Sequence, residues 1–300
     1  MSERITRRGV VVGVDGSPSS RVAARWAARE AAMRNLPLSV VHIAHPPAIE
    51  SQALQWPGAR TPADLMQLRE DEARAIVTDA ITALEESDET GDRPEIDCDV
   101  LYGRPVSSLV ELSEDAQMVV VGCRGRSAVG RGILGSVSIG LIHRAHCPVA
   151  VIHDGVSSSR DAPDLPVLVG IDGSGSSEAA TGIAFDEASW RGVDLVAMHV
   201  WSDADVSMAY GMEWSALQPA AEATLAESLA GWQERYPDVK VHRLVECEYP
   251  ARQILEQSED CQLVVVGRHG RGGSAGTLLG SVSTAVVQAA RVPVIVARQE

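Results

Sequence analysis

Apolar residues along this chain fall into short continuous runs separated by longer stripes with helical spacing. Gly9–Val14 is an unbroken apolar run ending at Asp15, and it reads as a buried strand. A helix follows, with Val22, Ala23, Trp26, Ala27 and Ala31 on one stripe. Leu38–Ile43 reads as the second strand, and His45–Pro62, with four prolines, as a loop. A long helix over Ala63–Glu86 precedes a third strand at Ile96–Leu101. A helix over Val106–Asp115, a fourth strand at Met118–Val121, a helix from Ser136 to about Ala145 and a fifth strand at Val149–Ile152 complete the series. Strands that alternate with helices predict a parallel sheet covered on both faces.

The series then starts again. Val12-Gly13-Val14-Asp15-Gly16-Ser17 matches Val169-Gly170-Ile171-Asp172-Gly173-Ser174 at an offset of 157, which holds to His42 and His199. The first half then carries twelve extra residues. From Leu109–Asp115 against Ile254–Asp260 the offset is 145, and it holds to Pro148-Val149 and Pro293-Val294. A whole domain of roughly 140 residues is duplicated, which is too long a period for a solenoid repeat. The expected organisation is a first domain over 1–154, a linker over 155–164 rich in Ser, Asp and Pro, and a second domain over 165–300. Each is expected to be an α/β, doubly wound domain with a five-stranded parallel sheet in the order 3-2-1-4-5. Ligands of such sheets lie beyond the carboxyl ends of the strands, where the order reverses. Strands one and four meet there, and they lead to the residues with the most chemistry.

Those residues form a glycine pattern that occurs twice. Gly122-Cys123-Arg124-Gly125 is followed by nine residues and Gly135-Ser136; Gly267-Arg268-His269-Gly270 is followed by nine and Gly280-Ser281. A phosphate loop needs inward-facing N–H groups and no obstructing side chains, and Gly122, Gly125 and Gly135 meet that need. Ser136 either caps the next helix or donates its hydroxyl to phosphate oxygens. The N–H groups of Val137 and Ser138 add the positive end of the helix dipole. The same holds for Gly267, Gly270, Gly280, Ser281, Val282 and Ser283. Asp15 and Asp172 close the first strands. Each can bind ribose hydroxyls or, indirectly, a Mg2+ carried by the phosphates; the plainer reading is a turn residue in Asp-Gly-Ser. The same position in both halves favours a site.

Charge sharpens this picture. The chain of 300 residues carries a formal charge of −15, which argues against nucleic acid and anionic membranes as partners. Yet Ala116–His153 and Cys261–Gln299 contain no Asp or Glu. These windows hold both loops, with Arg124, Arg126, Arg131 and Arg144 in the first and Arg268, Arg271, Arg291 and Arg298 in the second. Buried strands exclude carboxylates in any case, but that does not account for arginines in loops. Apolar residues make up 45%, with six Trp, four Tyr and a single Phe, so aliphatic side chains must build the cores. Five cysteines without C-x2-C spacing, no apolar run of ~20 residues and a polar N-terminus read as a cytoplasmic chain.

With these motifs the chain resembles a tandem universal stress protein of the ATP-binding subgroup, over both halves and nearly end to end. The matching residues are the Val12–Ser17 run, the Gly122…Gly125…Gly135-Ser136 loop, Cys147-Pro148-Val149, and their second-half partners. The resemblance implies ATP, with Mg2+, as ligand. Gly13, Asp15, Gly170 and Asp172 would take the ribose and adenine side, and the glycine loops with Ser136 and Ser281 the triphosphate. Strand ends at His42–Ala44 and His199–Trp201, including Ala44 and Val200, would line the adenine. Cys123, Arg124, Arg126, Arg268 and Arg271 complete the expected binding set. The resemblance further implies pairing through the last strands, within the chain or in a homodimer, and a regulatory role toward an unidentified protein partner.

A slow ATPase or ATP-dependent activating enzyme lacks an evident base in either loop, and a nucleotide-independent interaction module fits poorly with intact glycines in both halves. There is no Walker loop and no G-x-G-x-x-G. His143, His146 and Cys147 have metal-like spacing, but the sister half has Gln288, Arg291 and Val292, so they read as surface residues. Cys123 between arginines is either a redox-sensitive thiol or a small tolerated loop residue, and Arg268 at the sister position favours the latter. Trp56 and Trp214 either cover a nucleotide, meet a partner or pack a flap.

Overall fold

The computed structural model describes residues 8–45, 62–87, 93–125, 134–153, 164–201, 214–270 and 279–298. The first half comprises β1 (Val10–Gly13), α1 (Pro18–Met33), β2 (Leu38–Ala44), α2 (Pro62–Ser87), β3 (Ile96–Tyr102), α3 (Pro105–Leu112), β4 (Met118–Gly122), α4 (Ser136–Arg144) and β5 (Val149–Ile152). The second comprises β6 (Val167–Ile171), α5 (Gly175–Arg191), β7 (Leu195–Trp201), α6 (Trp214–Leu229), α7 (Trp232–Arg235), β8 (Val241–Cys247), α8 (Pro250–Ser258), β9 (Leu263–Gly267), α9 (Ser281–Ala289) and β10 (Val294–Ala297).

The central strands are Val-rich because they are buried on both faces, where branched side chains pack on a pleated surface. Val10, Val11 and Val12 are fully buried, as are Val167, Leu168 and Val169. The two sheets join into one of ten strands, ordered β3-β2-β1-β4-β5-β10-β9-β6-β7-β8. Each half thus has the expected order, and its internal pairings are parallel. Among the described residues the one antiparallel junction is β5 against β10, with Ala150 opposite Ile295. Two short apolar strands cover each other's edges there, and edges of that kind otherwise invite association. The outer strands β3 and β8 are half-exposed.

Helices α1 and α5 meet beneath this junction. Glu30 on α1 and Arg34 at its C-cap, with Glu187 and Arg191 on α5, form a closed ring of four ion pairs; Arg191 Nη2 lies 2.6 Å from Glu30 Oε2 and Arg34 Nη2 lies 3.0 Å from Glu30 Oε1, while Arg34 and Arg191 also bond Glu187. Both carboxylates are buried, at 1% and 0% exposure, so neither tolerates being left alone. Burial raises both carboxyls. At Glu30 the Arg191 and Arg34 charges outweigh it and hold the group down at about 2. At Glu187 burial and the neighbouring Glu30 charge prevail and push it up to about 8. The Trp190 ring covers Arg34 at 4.3 Å. The sequence carried the signal, a Glu-x3-Arg pair at offset 157, but i,i+4 charge pairs ordinarily mark a solvated face.

Candidate functional site: two glycine loops

The first wall of each crevice is the turn after the first strand. Asp15 Oδ1 accepts the Ser17 N–H at 3.0 Å, and Asp172 Oδ1 accepts the Ser174 N–H at 2.9 Å. That is the turn role weighed above. It occupies one carboxylate oxygen. The other, Oδ2, faces the glycine loop: a Cβ on Gly125 would stand 2.7 Å from Asp15 Oδ2, and one on Gly270 2.6 Å from Asp172 Oδ2. Turn and loop are therefore brought together in both halves.

Histidines behind the turn hold it in place. His42 Nδ1 lies 2.7 Å from the Val14 carbonyl and His199 Nδ1 2.6 Å from that of Ile171. Because a carbonyl only accepts, Nδ1 carries the proton in each ring. These bonds fix the backbone one residue before Asp15 and Asp172. The sequence reading placed His42 and His199 at strand ends toward adenine and missed this function; their shared offset was the available signal. Ala44 and Val200, at the ends of β2 and β7, are buried at 8% exposure each.

The second wall is a helix N-terminus. Gly135 occupies the N-cap of α4 and Gly280 that of α9, each without a side-chain cap bond. Ser136 and Ser281 are thus the first helical residues and not the caps. The first intrahelical bonds are Ile139 N–H to Gly135 O at 3.1 Å and Thr284 N–H to Gly280 O at 2.9 Å. The N–H groups of Ser136, Val137 and Ser138, and of Ser281, Val282 and Ser283, precede those bonds and lie at the positive end of the helix dipole. By contrast, α1 and α5 are capped by their own Ser17 and Ser174, which accept from Ser20 and Ser177 N–H. The hydroxyls of Ser138 and Ser283 donate to Gly122 O and Gly267 O at 2.9 and 2.6 Å, tying helix to strand; only their N–H groups face outward chemistry. The loop backbone is clamped to the helix as well, since Gly135 N–H donates to Cys123 O at 2.8 Å and Gly280 N–H to Arg268 O at 3.0 Å.

The glycines divide into two kinds. A Cβ on Gly122 would lie 2.6 Å from Ser19 Cβ and 2.8 Å from Ser19 C, and one on Gly267 2.7 Å from Ser176 C. These two let α1 and α5 approach the sheet, a packing role beyond the loop role expected for them. Gly13 and Gly170 similarly meet Leu109 at 3.2 Å and Ile254 at 3.0 Å. Gly135 and Gly280 differ: φ is −65° at both, open to any residue, and a Cβ would make contacts no shorter than 3.5 and 3.4 Å. Backbone geometry gives no reason for glycine there. What its absence of side chain preserves is the space between loop and helix.

The Cys123 side chain is buried in the core, its Sγ 3.9 Å from Ser19 Oγ, so only its backbone lines the loop. Arg124 follows, and its carbonyl receives the Ser17 hydroxyl at 3.4 Å; His269 O receives that of Ser174 at 3.3 Å. Arg126 and Arg271 lie outside the described residues, as does Trp56; of Trp214 only the backbone, at the start of α6, is described. His146 lies 3.7 Å from Glu114, and no cluster of three His, Cys, Asp or Glu side chains that could hold a metal occurs among the described residues. No helix among the described residues is long and apolar enough to cross a membrane.

Fold and site together define a tandem, doubly wound α/β protein with a glycine-lined crevice at the carboxyl end of each half-sheet. The family model described as the universal stress protein family matches residues 6–153 and again 165–298, and the chain belongs to that family. It is 52% identical to Universal stress protein Rv2005c of Mycobacterium tuberculosis over the whole of both chains. It is 48% identical to Universal stress protein Rv2623 of the same organism, over 100% of this chain and 99% of that one. Among solved structures, a universal stress protein from Archaeoglobus fulgidus superposes with a TM-score of 0.68 at 22% identity, covering 97% of this chain and 98% of the other; that likeness is one of fold.

Proposed function

We propose that each half, 1–154 and 165–300, binds one adenine nucleotide, ATP with its Mg2+, and that occupancy tunes a stress or growth response with little or no hydrolysis. The observation that carries this reading is the uncapped N-terminus of α4 and α9 behind a glycine whose conformation does not require glycine. Phosphate oxygens would serve as acceptors for the three successive N–H groups at each of these helix starts. Asp15 and Asp172, fixed through Oδ1, present a carboxylate edge to ribose hydroxyls. The ends of β2 and β7 at Ala44 and Val200 offer an apolar seat for the base. Bound ATP brings a polyphosphate chain whose charge changes with occupancy and phosphorylation state; the chain's own groups bind and orient it.

The apolar edge of the last strands is consumed inside the chain, by β5 against β10. A homodimer of whole chains, acting in the cytoplasm with a protein partner, would therefore use a different surface. The test is chemical. Purified protein is denatured and the released small molecules are assayed. Adenine nucleotide approaching two per chain is expected. Its absence, with no uptake of added ATP, would overturn the reading, and several turnovers per second would replace it with an enzyme.

A further inference from the structure

In each half the first helix and the glycine loop meet at one serine. Ser17 is buried, and its atoms serve three neighbours. Its N–H donates to Asp15 Oδ1 at 3.0 Å, its Oγ accepts the Ser20 N–H at 3.1 Å, and its hydroxyl donates to the Arg124 carbonyl at 3.4 Å. Ser174 repeats all three, with Asp172 Oδ1 at 2.9 Å, the Ser177 N–H at 3.2 Å and the His269 carbonyl at 3.3 Å. A helix cap needs only the acceptor. The bond to the loop reaches across 107 residues in one half and 95 in the other, and capping does not call for it. Both loop bonds are long for O–H···O contacts, which makes them minor terms in stability; their consequence is direction.

Direction follows from the trans peptide, in which C=O and N–H point opposite ways. No peptide among the described residues is cis. With the Arg124 carbonyl held toward Ser17, the Gly125 N–H points away from α1. With the His269 carbonyl held toward Ser174, the Gly270 N–H points away from α5. Gly125 N lies 3.6 Å from the place of a Cβ on Gly135, and Gly270 N 3.5 Å from that of a Cβ on Gly280. Each of these amides therefore stands beside the N-cap glycine whose missing side chain keeps loop and helix apart. Neither donates to a backbone carbonyl among the described residues. The preceding loop carbonyls are held from the other side: Gly122 O and Gly267 O by the Ser138 and Ser283 hydroxyls, Cys123 O and Arg268 O by the Gly135 and Gly280 N–H groups.

We propose that Ser17 and Ser174 are positioning residues of the two loops. Each hydroxyl turns one loop peptide so that Gly125 or Gly270 adds its N–H to the donors at the start of α4 or α9, and the group received is a phosphoryl of a polyphosphate chain. The proposal rests on the nucleotide reading of the loops. It gives the Asp-Gly-Ser turn a second task, because its serine fixes both the carboxylate of Asp15 or Asp172 and the amide of the facing loop.

The test separates tether from cap. Full-length Ser17→Gly removes the hydroxyl but leaves a residue that caps helices nearly as well, so the urea midpoint should stay close to wild type. In calorimetric titrations with ATP and with inorganic pyrophosphate, one of two sites should lose about tenfold in affinity for both probes, and Ser17→Gly/Ser174→Gly should lose it at both. Ser17→Thr keeps the hydroxyl and should restore binding. In protein labelled on glycine nitrogen for NMR, pyrophosphate should shift the Gly125 and Gly270 amide signals of wild type. Ser17→Gly should lose the Gly125 shift and keep that of Gly270, a change that a cap alone would not cause. Unchanged affinity in the double variant, or a Gly125 shift that persists in Ser17→Gly, overturns the proposal. So does binding by Ser17→Thr as weak as that of Ser17→Gly. Wild type that binds pyrophosphate but no adenine nucleotide, with pyrophosphate weakened in Ser17→Gly, removes the nucleotide reading and keeps the positioning role. Wild type that binds neither removes both.

Discussion

The Asp15 carboxylate faces Gly125 so closely that Oδ2 lies 2.7 Å from the point where a Cβ on that glycine would stand, and Asp172 faces Gly270 in the same way at 2.6 Å. Strand end and glycine loop are thus in contact before any ligand arrives. Because Oδ1 is already held by the Ser17 or Ser174 N–H, the carboxylate cannot swing aside without breaking its turn. Gly125→Ala with Gly270→Ala should cost about 1–3 kcal/mol in urea unfolding and weaken ATP at least tenfold by calorimetry. Wild-type affinity in that double variant would show that the carboxylates do not shape the site.

The two kinds of glycine should respond in opposite ways. Gly135→Val and Gly280→Val have an ordinary φ and a Cβ in ordinary van der Waals contact with the loop backbone, at 3.5 and 3.4 Å, so circular dichroism should stay near wild type and the urea midpoint should fall less than in Gly122→Ala, while ATP binding is lost. Gly122→Ala forces Ser19 and α1 off the sheet and should destabilise by about 1–3 kcal/mol or more. Equal loss of stability in all three variants would contradict the division.

The ion ring between α1 and α5 makes its own prediction. Arg191→Met leaves two buried carboxylates with one arginine and should cost about 3–5 kcal/mol. Replacing all four residues with apolar ones of similar size should bring stability back to near wild type or above it. If the quadruple variant is less stable than Arg191→Met, the ring contributes more than the avoidance of unpaired charge.

His199 is 2% exposed and donates to the Ile171 carbonyl. His199→Leu leaves that buried acceptor unpaired, at a cost of about 1–3 kcal/mol, and releases the backbone before Asp172. Thermal melts should fall, and ATP affinity should drop at one of the two sites only. Loss at both sites would mean that the halves act as one unit.

Much of this was legible in the residues. Val-rich runs ending at Asp15 and Asp172 gave the strands, and the constant offsets gave the duplication, because strands buried on both faces and repeated turns leave strong local patterns. The glycine loops were legible for the same reason. What local pattern does not carry is which glycine meets which helix. Gly122 is a packing glycine because Ser19, more than a hundred residues earlier, lies against it. Serine commonly caps a helix, but α4 begins at Ser136 itself, a residue earlier than that preference implies, with Gly135 as its N-cap. The Glu30–Arg191 contact joins residues far apart in the chain and is decided by the β5–β10 junction, so pairs that resemble surface charges end up buried.

The central claim is that two helix N-termini hold two polyphosphate chains. Calorimetric titration of the full-length chain with ATP in the presence of Mg2+ tests it most directly. Two ATP per chain in wild type, falling to one in Gly135→Val and to none in Gly135→Val/Gly280→Val, is the expected result. No heat and no bound nucleotide in folded wild type, or two ATP still bound by the double variant, would contradict it.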